Sequence, residues 1–199
     1  MIKLNEQRPC ETKNPENGFS VIEMAIGTLV MLILGAIAIP SIMQGWNSYR
    51  LTSAADSVAG ILERTRFEAI HKNARLSCIG APSGTGWTVG IDENGNGVID
   101  PNEPQVILPG PATLVGAGVA PGPASMGAGY AGAITPPGNA MTFDARGTVF
   151  FAGPGGPATY IAYVGIPNQP TYGYRAVTIT PMGQVKVWAA SSTGSWIGQ

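Results

Sequence analysis

The sequence predicts an α+β protein in which one long amino-terminal helix packs on an antiparallel β-sheet domain. Three observations predict it. Between Phe19 and Met43 the only charged residue is Glu23, and Met24 to Ile39 is apolar apart from Thr28, which matches the ~20 residues of a bilayer-spanning helix. Beyond Pro40 the apolar residues become one-sided at helical spacing. After Gly80, short runs of Val, Ile, Thr and aromatics bounded by Gly, Pro and Asn replace that period.

Composition sets the outer limits. The 199 residues carry a net charge of −1, with 12% charged and 44% apolar side chains, which is room for one domain with an anchor and excludes global disorder. No overall field exists for holding polyanions. Of the two cysteines, Cys10 lies in the leading segment and Cys78 in the body of the chain, so a disulfide-stapled scaffold is excluded as well.

The elements follow in order. Residues 1–18 mix Lys3, Arg8 and Lys13 with Glu6, Glu11 and Glu16, contain Pro9 and Pro15, and show no apolar period, so they are not expected to fold. Residues 19–43 are the membrane-spanning half of the helix. Its carboxylate, Glu23, would cost about 2.5–3.5 kcal/mol at mid-bilayer and so calls for a cationic partner. A secretory signal ending near Ala36-Ile37-Ala38 is the alternative, but the long mixed-charge leader, Glu23 and the helix that follows all weigh against it. Pro40 removes one helix hydrogen bond. Residues 44–79 form the amphipathic half: Leu51, Ala55, Val58, Leu62, Ala69 and Leu76 make a stripe that Ala54, Ile61 and Ile70 widen. From Phe19 to Leu76 the helix would reach roughly 85–90 Å at 1.5 Å per residue, with Trp46 and Tyr49 where an aromatic belt would meet a membrane surface.

Residues 80–199 form the β-rich domain, with strands expected at Trp87 to Ile91, Gln105 to Leu108, Met141 to Phe151, Thr159 to Ile166, Arg175 to Thr180 and Gln184 to Ala189. Residues 109–140, crowded with Gly and Pro, read as a long loop without helix. The amphipathic half of the helix is the natural cover for the apolar sheet face.

The set Gly18-Phe19-Ser20-Val21-Ile22-Glu23 ahead of the apolar run resembles the type IV pilin and type II secretion pseudopilin superfamily. Arg66-Phe67-Glu68-Ala69-Ile70, Leu76-Ser77-Cys78, Gly86-Trp87-Thr88-Val89-Gly90, Phe143-Asp144-Ala145-Arg146-Gly147 and Ile179-Thr180-Pro181-Met182-Gly183-Gln184-Val185 are similar, in order, to the GspH/FimT-type minor pseudopilins. The resemblance implies removal of residues 1–18 by the prepilin peptidase, which cuts after Gly18, and N-methylation of Phe19. It implies that Glu23 meets a neighbouring subunit's amino terminus during assembly. It further implies a single-pass protein of the bacterial inner membrane with its carboxy-terminal domain in the periplasm. Its partners would be other pilin or pseudopilin subunits and the inner-membrane assembly platform. Such a minor subunit enters a type II secretion pseudopilus or type IV pilus, in initiation or at the tip, and is not an enzyme.

Other candidate sites are local. Asp92, Asn94, Asn96, Asp100 and Glu103, with the Val98 carbonyl and Gly97 at the sharp turn, have the spacing of a calcium loop. Strand-like segments flank it instead of helices, and Asn-Gly-Asn-Gly is also a hairpin signal needing no ion, so both readings stand: a calcium-binding, membrane-anchored surface protein is one alternative function. Arg64, Arg66, His71, Lys72 and Arg75 gather at the helix end among Glu63 and Glu68. Some FimT-branch members bind DNA through a Gly-Arg-x-Arg pattern; here Gly183-Gln184-Val185-Lys186 keeps one cation, Lys186, which weighs against the second alternative, a DNA-uptake pilin. No nucleophile elbow, phosphate loop or His-rich metal motif occurs, and Cys78 reads as a buried structural thiol with His71 on the surface.

Overall fold

The computed structural model describes residues 18–84, 86–136, 138, 140–150 and 158–199; the leader 1–17 and Phe151, the expected end of one strand, lie outside the described residues. The chain divides into two units, Met1–Ile42 and Met43–Gln199. An α-helix, α1, runs from Val21 to His71 and carries Pro40 inside it.

The start of α1 is set by Ser20. Its carbonyl accepts the Glu23 and Met24 N–H groups at 3.0 and 3.1 Å, and its own N–H donates to Glu23 Oε2 at 3.4 Å. That is the returning half of a capping box, formed by Ser-x-x-Glu. In the first unit the apolar side chains of α1 stand exposed, and the stretch is long and apolar enough to cross a membrane.

The helix was expected to continue to Leu76; it ends at His71 because of Asn73. Asn73 takes φ 48°, its N–H donates to the Ile70 carbonyl at 3.2 Å, and the Ala74 N–H donates to the Ala69 carbonyl at 3.1 Å. These two bonds are the paired closure of a Schellman cap, with Asn in the left-handed position that usually takes glycine. Leu76 therefore opens a strand instead of closing a helix.

Among the described residues the second unit holds ten strands: β1 (Leu76–Ser83), β2 (Gly86–Asp92), β3 (Gln105–Ile107), β4 (Thr113–Val115), β5 (Met141–Phe143), β6 (Val149–Phe150), β7 (Tyr160–Gly165), β8 (Tyr174–Ile179), β9 (Val185–Ala190) and β10 (Ile197–Gly198). They make two antiparallel sheets, ordered β3-β2-β1-β5-β6 and β10-β9-β8-β7-β4. The expected run from Met141 is split into β5 and β6 by a turn at Asp144. β1, β4 and β10 were not expected: β4 and β10 have only three and two residues, and β1, with eight, starts at Leu76, where the helical spacing was expected to end.

One core joins the helix to both sheets. From α1 it takes Leu51, Ala54, Ala55, Val58, Ile61, Leu62 and Ala69, and Thr65 is buried beside them with its hydroxyl donating to the Ile61 carbonyl at 2.6 Å. Ile70, expected to widen this stripe, is 43% exposed. Phe143, Ile91 and Cys78 come from the first sheet; Tyr160, Val164, Val177 and Ile179 come from the second.

A second core covers the other face of the second sheet, which is why β7 is buried along its whole length and shows no alternation. Ile161, Tyr163, Tyr174, Ala176 and Trp188 pack there against Ala120, Met126 and Trp196. The Gly/Pro-rich stretch is thus a strap with β4 and a short 3-10 turn, Pro123–Met126, and that turn corrects the expectation of no helix within 109–140. Trp196 anchors it: the indole N–H is shared between the Pro121 and Gly122 carbonyls, each at 3.1 Å, and the backbone N–H donates to Ser125 Oγ at 3.1 Å.

Candidate functional site

Three of the sequence motifs converge on one side chain. Arg66, on α1, donates from Nε to the Gly147 carbonyl at 3.0 Å and from Nη1 to the Gly183 carbonyl at 3.2 Å. Gly147 closes the β5–β6 turn, where Asp144 Oδ1 accepts the Arg146 and Thr148 N–H groups at 2.9 and 2.8 Å. Gly183 closes the β8–β9 turn, its N–H donating to the Thr180 carbonyl at 2.8 Å. Both glycines are left-handed, at φ 74° and 79°, and a Cβ on Gly183 would lie 2.6 Å from Arg66 Nε. The Val149 N–H donates to the Pro181 carbonyl at 3.2 Å, so the two turns also touch each other. One guanidinium, with its fixed fork of donors, thereby ties the helix to a turn from each sheet.

At the other end of the amphipathic half the connection runs the opposite way. Arg175, on β8 and only 8% exposed, donates from Nε to Thr52 Oγ1 at 3.1 Å, from Nη2 to Ser48 Oγ at 2.9 Å and from Nη1 to the Tyr174 carbonyl at 3.1 Å. Burial lowers its pKa from the ordinary arginine value, and the charge of Asp56 opposes that shift. Ser48 and Thr52, one helical turn apart, were the available signal for this buried cation.

Outside Arg66, the basic residues at the helix end do not form one patch. Lys72 Nζ pairs with Glu93 at 2.6 Å and lies 3.9 Å from Glu68, while Arg75 stacks on Phe150 at 4.3 Å from the ring centre. Lys186, the candidate for nucleic acid, sits 4.3 Å over the Trp188 ring. Cys78 is buried and its thiol is pushed up to about 12 by burial, with a hydrogen bond to Thr65 acting against the shift. It is a neutral packing group, and His71 is exposed.

The acidic loop closes on itself. Asp92 Oδ1 accepts the N–H groups of Gly95 at 2.7 Å and Asn96 at 3.2 Å, and Oδ2 accepts that of Gly97 at 2.9 Å. Asn94 Oδ1 accepts the Asn96 N–H at 2.9 Å, and Asn96 Oδ1 accepts the Val98 N–H at 2.8 Å. Glu103 spans the base, accepting from Glu93 N–H and Asp100 N–H, both at 2.8 Å. The sequence-predicted set is therefore brought together, but both asparagines turn their amide nitrogens to Asp100 Oδ2, at 2.7 and 3.0 Å. Calcium takes oxygen ligands, so those amides would have to turn round. Among the described residues no group of three or more His, Cys, Asp or Glu side chains is placed to hold a metal.

Gly18 and Phe19 precede α1 and are exposed, and Glu23 is in its first turn. Glu23 also closes its own helix, and Ser20-x-x-Glu23 is the signal for that bond in the sequence.

A family model described as Type II transport protein GspH matches residues 54–183. The chain belongs to the GspH family. The match begins in the buried stripe of α1 and ends at Gly183, so Arg66, Gly147 and Gly183 all fall within the GspH region. The comparison with curated proteins found no match. Two crystal structures of the type IV minor pilin FimU of Pseudomonas aeruginosa PAO1 are similar. The one in space group P21 is 20% identical, with 72% of this chain and 91% of that chain covered and a TM-score of 0.45. The one in P65 is 21% identical, with 72% and 96% covered and a TM-score of 0.42.

Proposed function

We propose that this GspH-family chain is a minor subunit of a type II secretion pseudopilus or a type IV pilus, acting in initiation or at the tip as a structural part and not as an enzyme. The observation that carries the reading is the exposed apolar stretch of α1 ahead of a family-matched domain. An uncovered apolar helix of that length needs lipid or the apolar helices of other subunits. On this reading the prepilin peptidase cuts after Gly18 and Phe19 is methylated, in an inner membrane with the domain in the periplasm. Glu23 then exchanges its own capping bond for the amino group of a neighbour brought by the assembly platform.

Intact-mass measurement of the mature protein is expected to show the loss of residues 1–18 and the gain of one methyl group on Phe19. Glu23→Ala in the full chain is expected to lower its amount in the sheared filament fraction at least about tenfold, the factor for about 1.4 kcal/mol, at an unchanged membrane level. Equal incorporation beside the unmodified chain, or an amino terminus at Ile39, would overturn the reading.

The acidic loop acts on this reading as a turn and not as a calcium site, supported by the carboxylate and asparagine oxygens already bound to its own N–H groups. Millimolar calcium is expected to leave the melting temperature unchanged, whereas Asp92→Ala lowers stability by about 1–3 kcal/mol because the Gly95 and Gly97 N–H groups lose their acceptor and Asn96 N–H loses one of two. A calcium-dependent rise absent from Asp92→Ala would establish the ion site instead. The rise at a hundredfold excess over Kd would be about 2.7 kcal/mol.

A further inference from the structure

Beside the Arg66 clamp lies an open groove of about 350 Å³, lined by Glu63, Arg66, Phe67, Met182, Gln184 and Val185. Two of its wall residues are large, apolar and uncovered: Phe67 is 67% exposed and Met182 83%. At its floor two N–H groups of Arg66 hold the turn carbonyls, and the rest of the guanidinium has no acceptor among the described residues. The ion pairs found among those residues are Lys72 with Glu68 and Lys72 with Glu93, so Arg66 takes part in none. Glu63 stands at the rim without reaching it. A half-buried guanidinium with a free edge, fixed by two backbone carbonyls and flanked by an aromatic ring and a thioether, has the chemistry to take a carboxylate and the apolar side chain next to it.

We propose that this groove docks a short segment of a neighbouring, different subunit, in which an Asp or Glu lies beside an apolar residue; the proposal rests on the assembly reading above. The carboxylate meets the Nη1–Nη2 edge of Arg66, and the apolar neighbour packs between Phe67 and Met182. Charge complementarity identifies the occupant: Arg66 offers donors only, so neither a basic segment nor a purely apolar one satisfies the floor. Glu63, in the lining of the groove, adds a like charge that weakens the contact.

The test uses the full chain in its native membranes, with a photo-cross-linking residue in place of Met182, or of Val119 as a control that is 58% exposed on the strap side. Mass spectrometry identifies the adduct peptides. The Met182 probe is expected to capture one peptide of another subunit with an acid within two residues of the attachment point, and the Val119 probe is not. Gln184→Glu, which adds a like charge at the groove, is expected to cut the yield about fivefold, and Glu63→Gln to raise it about as much, the factor for about 1 kcal/mol. Gln184→Lys, with yield kept, shows that a loss in Gln184→Glu is not misfolding. A peptide without an acid, lipid adducts alone, a second copy of this chain, or yields indifferent to both charge changes would overturn the proposal. Sheared filaments from the same cells separate the two readings. If the chain is in the filament and adducts ignore charge, the groove assignment falls and assembly stands; if the chain is in no filament, both fall.

Discussion

Trp196→Ala is expected to lower the unfolding free energy of the full chain in detergent by about 3–5 kcal/mol, the range for truncating a large buried aromatic. The indole is 4% exposed, its centroid is 5.9 Å from that of Tyr163, and it packs in the core that the strap forms over the second sheet. Its loss leaves a cavity and also takes the shared donor from the Pro121 and Gly122 carbonyls. The strap should then open before the sheets do, so limited proteolysis is expected to cut first within 109–140. Trp196→Phe keeps most of the ring but not the N–H, and is expected to cost less than Ala. A Trp196→Ala protein within 0.5 kcal/mol of the parent, or one cut first elsewhere, would show that the strap is not held this way.

Gly183→Ala is expected to cost about 2–5 kcal/mol. Roughly 1–2 kcal/mol comes from placing a Cβ at left-handed φ, and about 1–3 from crowding, since that Cβ would lie 2.6 Å from Arg66 Nε and 2.7 Å from the Gly147 carbonyl oxygen. Part of the second contribution depends on Arg66. Arg66→Ala and Gly183→Ala together are therefore expected to cost less than the sum of the two alone, by about 1 kcal/mol or more. Arg66→Lys should not restore the clamp, because an ammonium on a flexible stem lacks the planar fork that reaches both carbonyls. Strict additivity in denaturant titrations would mean that the guanidinium and the glycine do not share a site.

What could be read in the sequence was whatever repeats over a few residues. The stripe from Leu51 to Ala69 and the strands from Trp87, Arg175 and Gln184 are local periodic patterns, and they stand where the period put them. The end of α1 was misjudged because apolar spacing carries through Asn73 to Leu76, while the stop signal is one left-handed residue. The strap was read correctly as Gly/Pro-rich, yet its order depends on Trp196, 74 and 75 residues from its acceptors. The clamp has the same character: Arg66 meets carbonyls 81 and 117 residues away, and carbonyls leave no trace in a sequence. Arg175 was hidden because a strand arginine ordinarily faces solvent. The acidic loop stayed ambiguous because calcium coordination and turn closure both ask for short oxygen-bearing side chains at alternate positions.

The two arginines also decide how the second unit bears load. Arg175 reaches from β8 into the helix at Ser48 and Thr52, and Arg66 reaches from the helix out to Gly147 and Gly183. A pull along the axis of α1 strains both bolts in shear together, and they lie about 21–27 Å apart on the same rod. Slippage by one helical turn, about 5.4 Å, would carry Arg66 away from both turn carbonyls, whereas Arg175 would exchange one hydroxyl for the other, because Ser48 and Thr52 are themselves one turn apart. The helix is thus fastened against sliding at two points, of which the Arg66 clamp is the one that fixes its register.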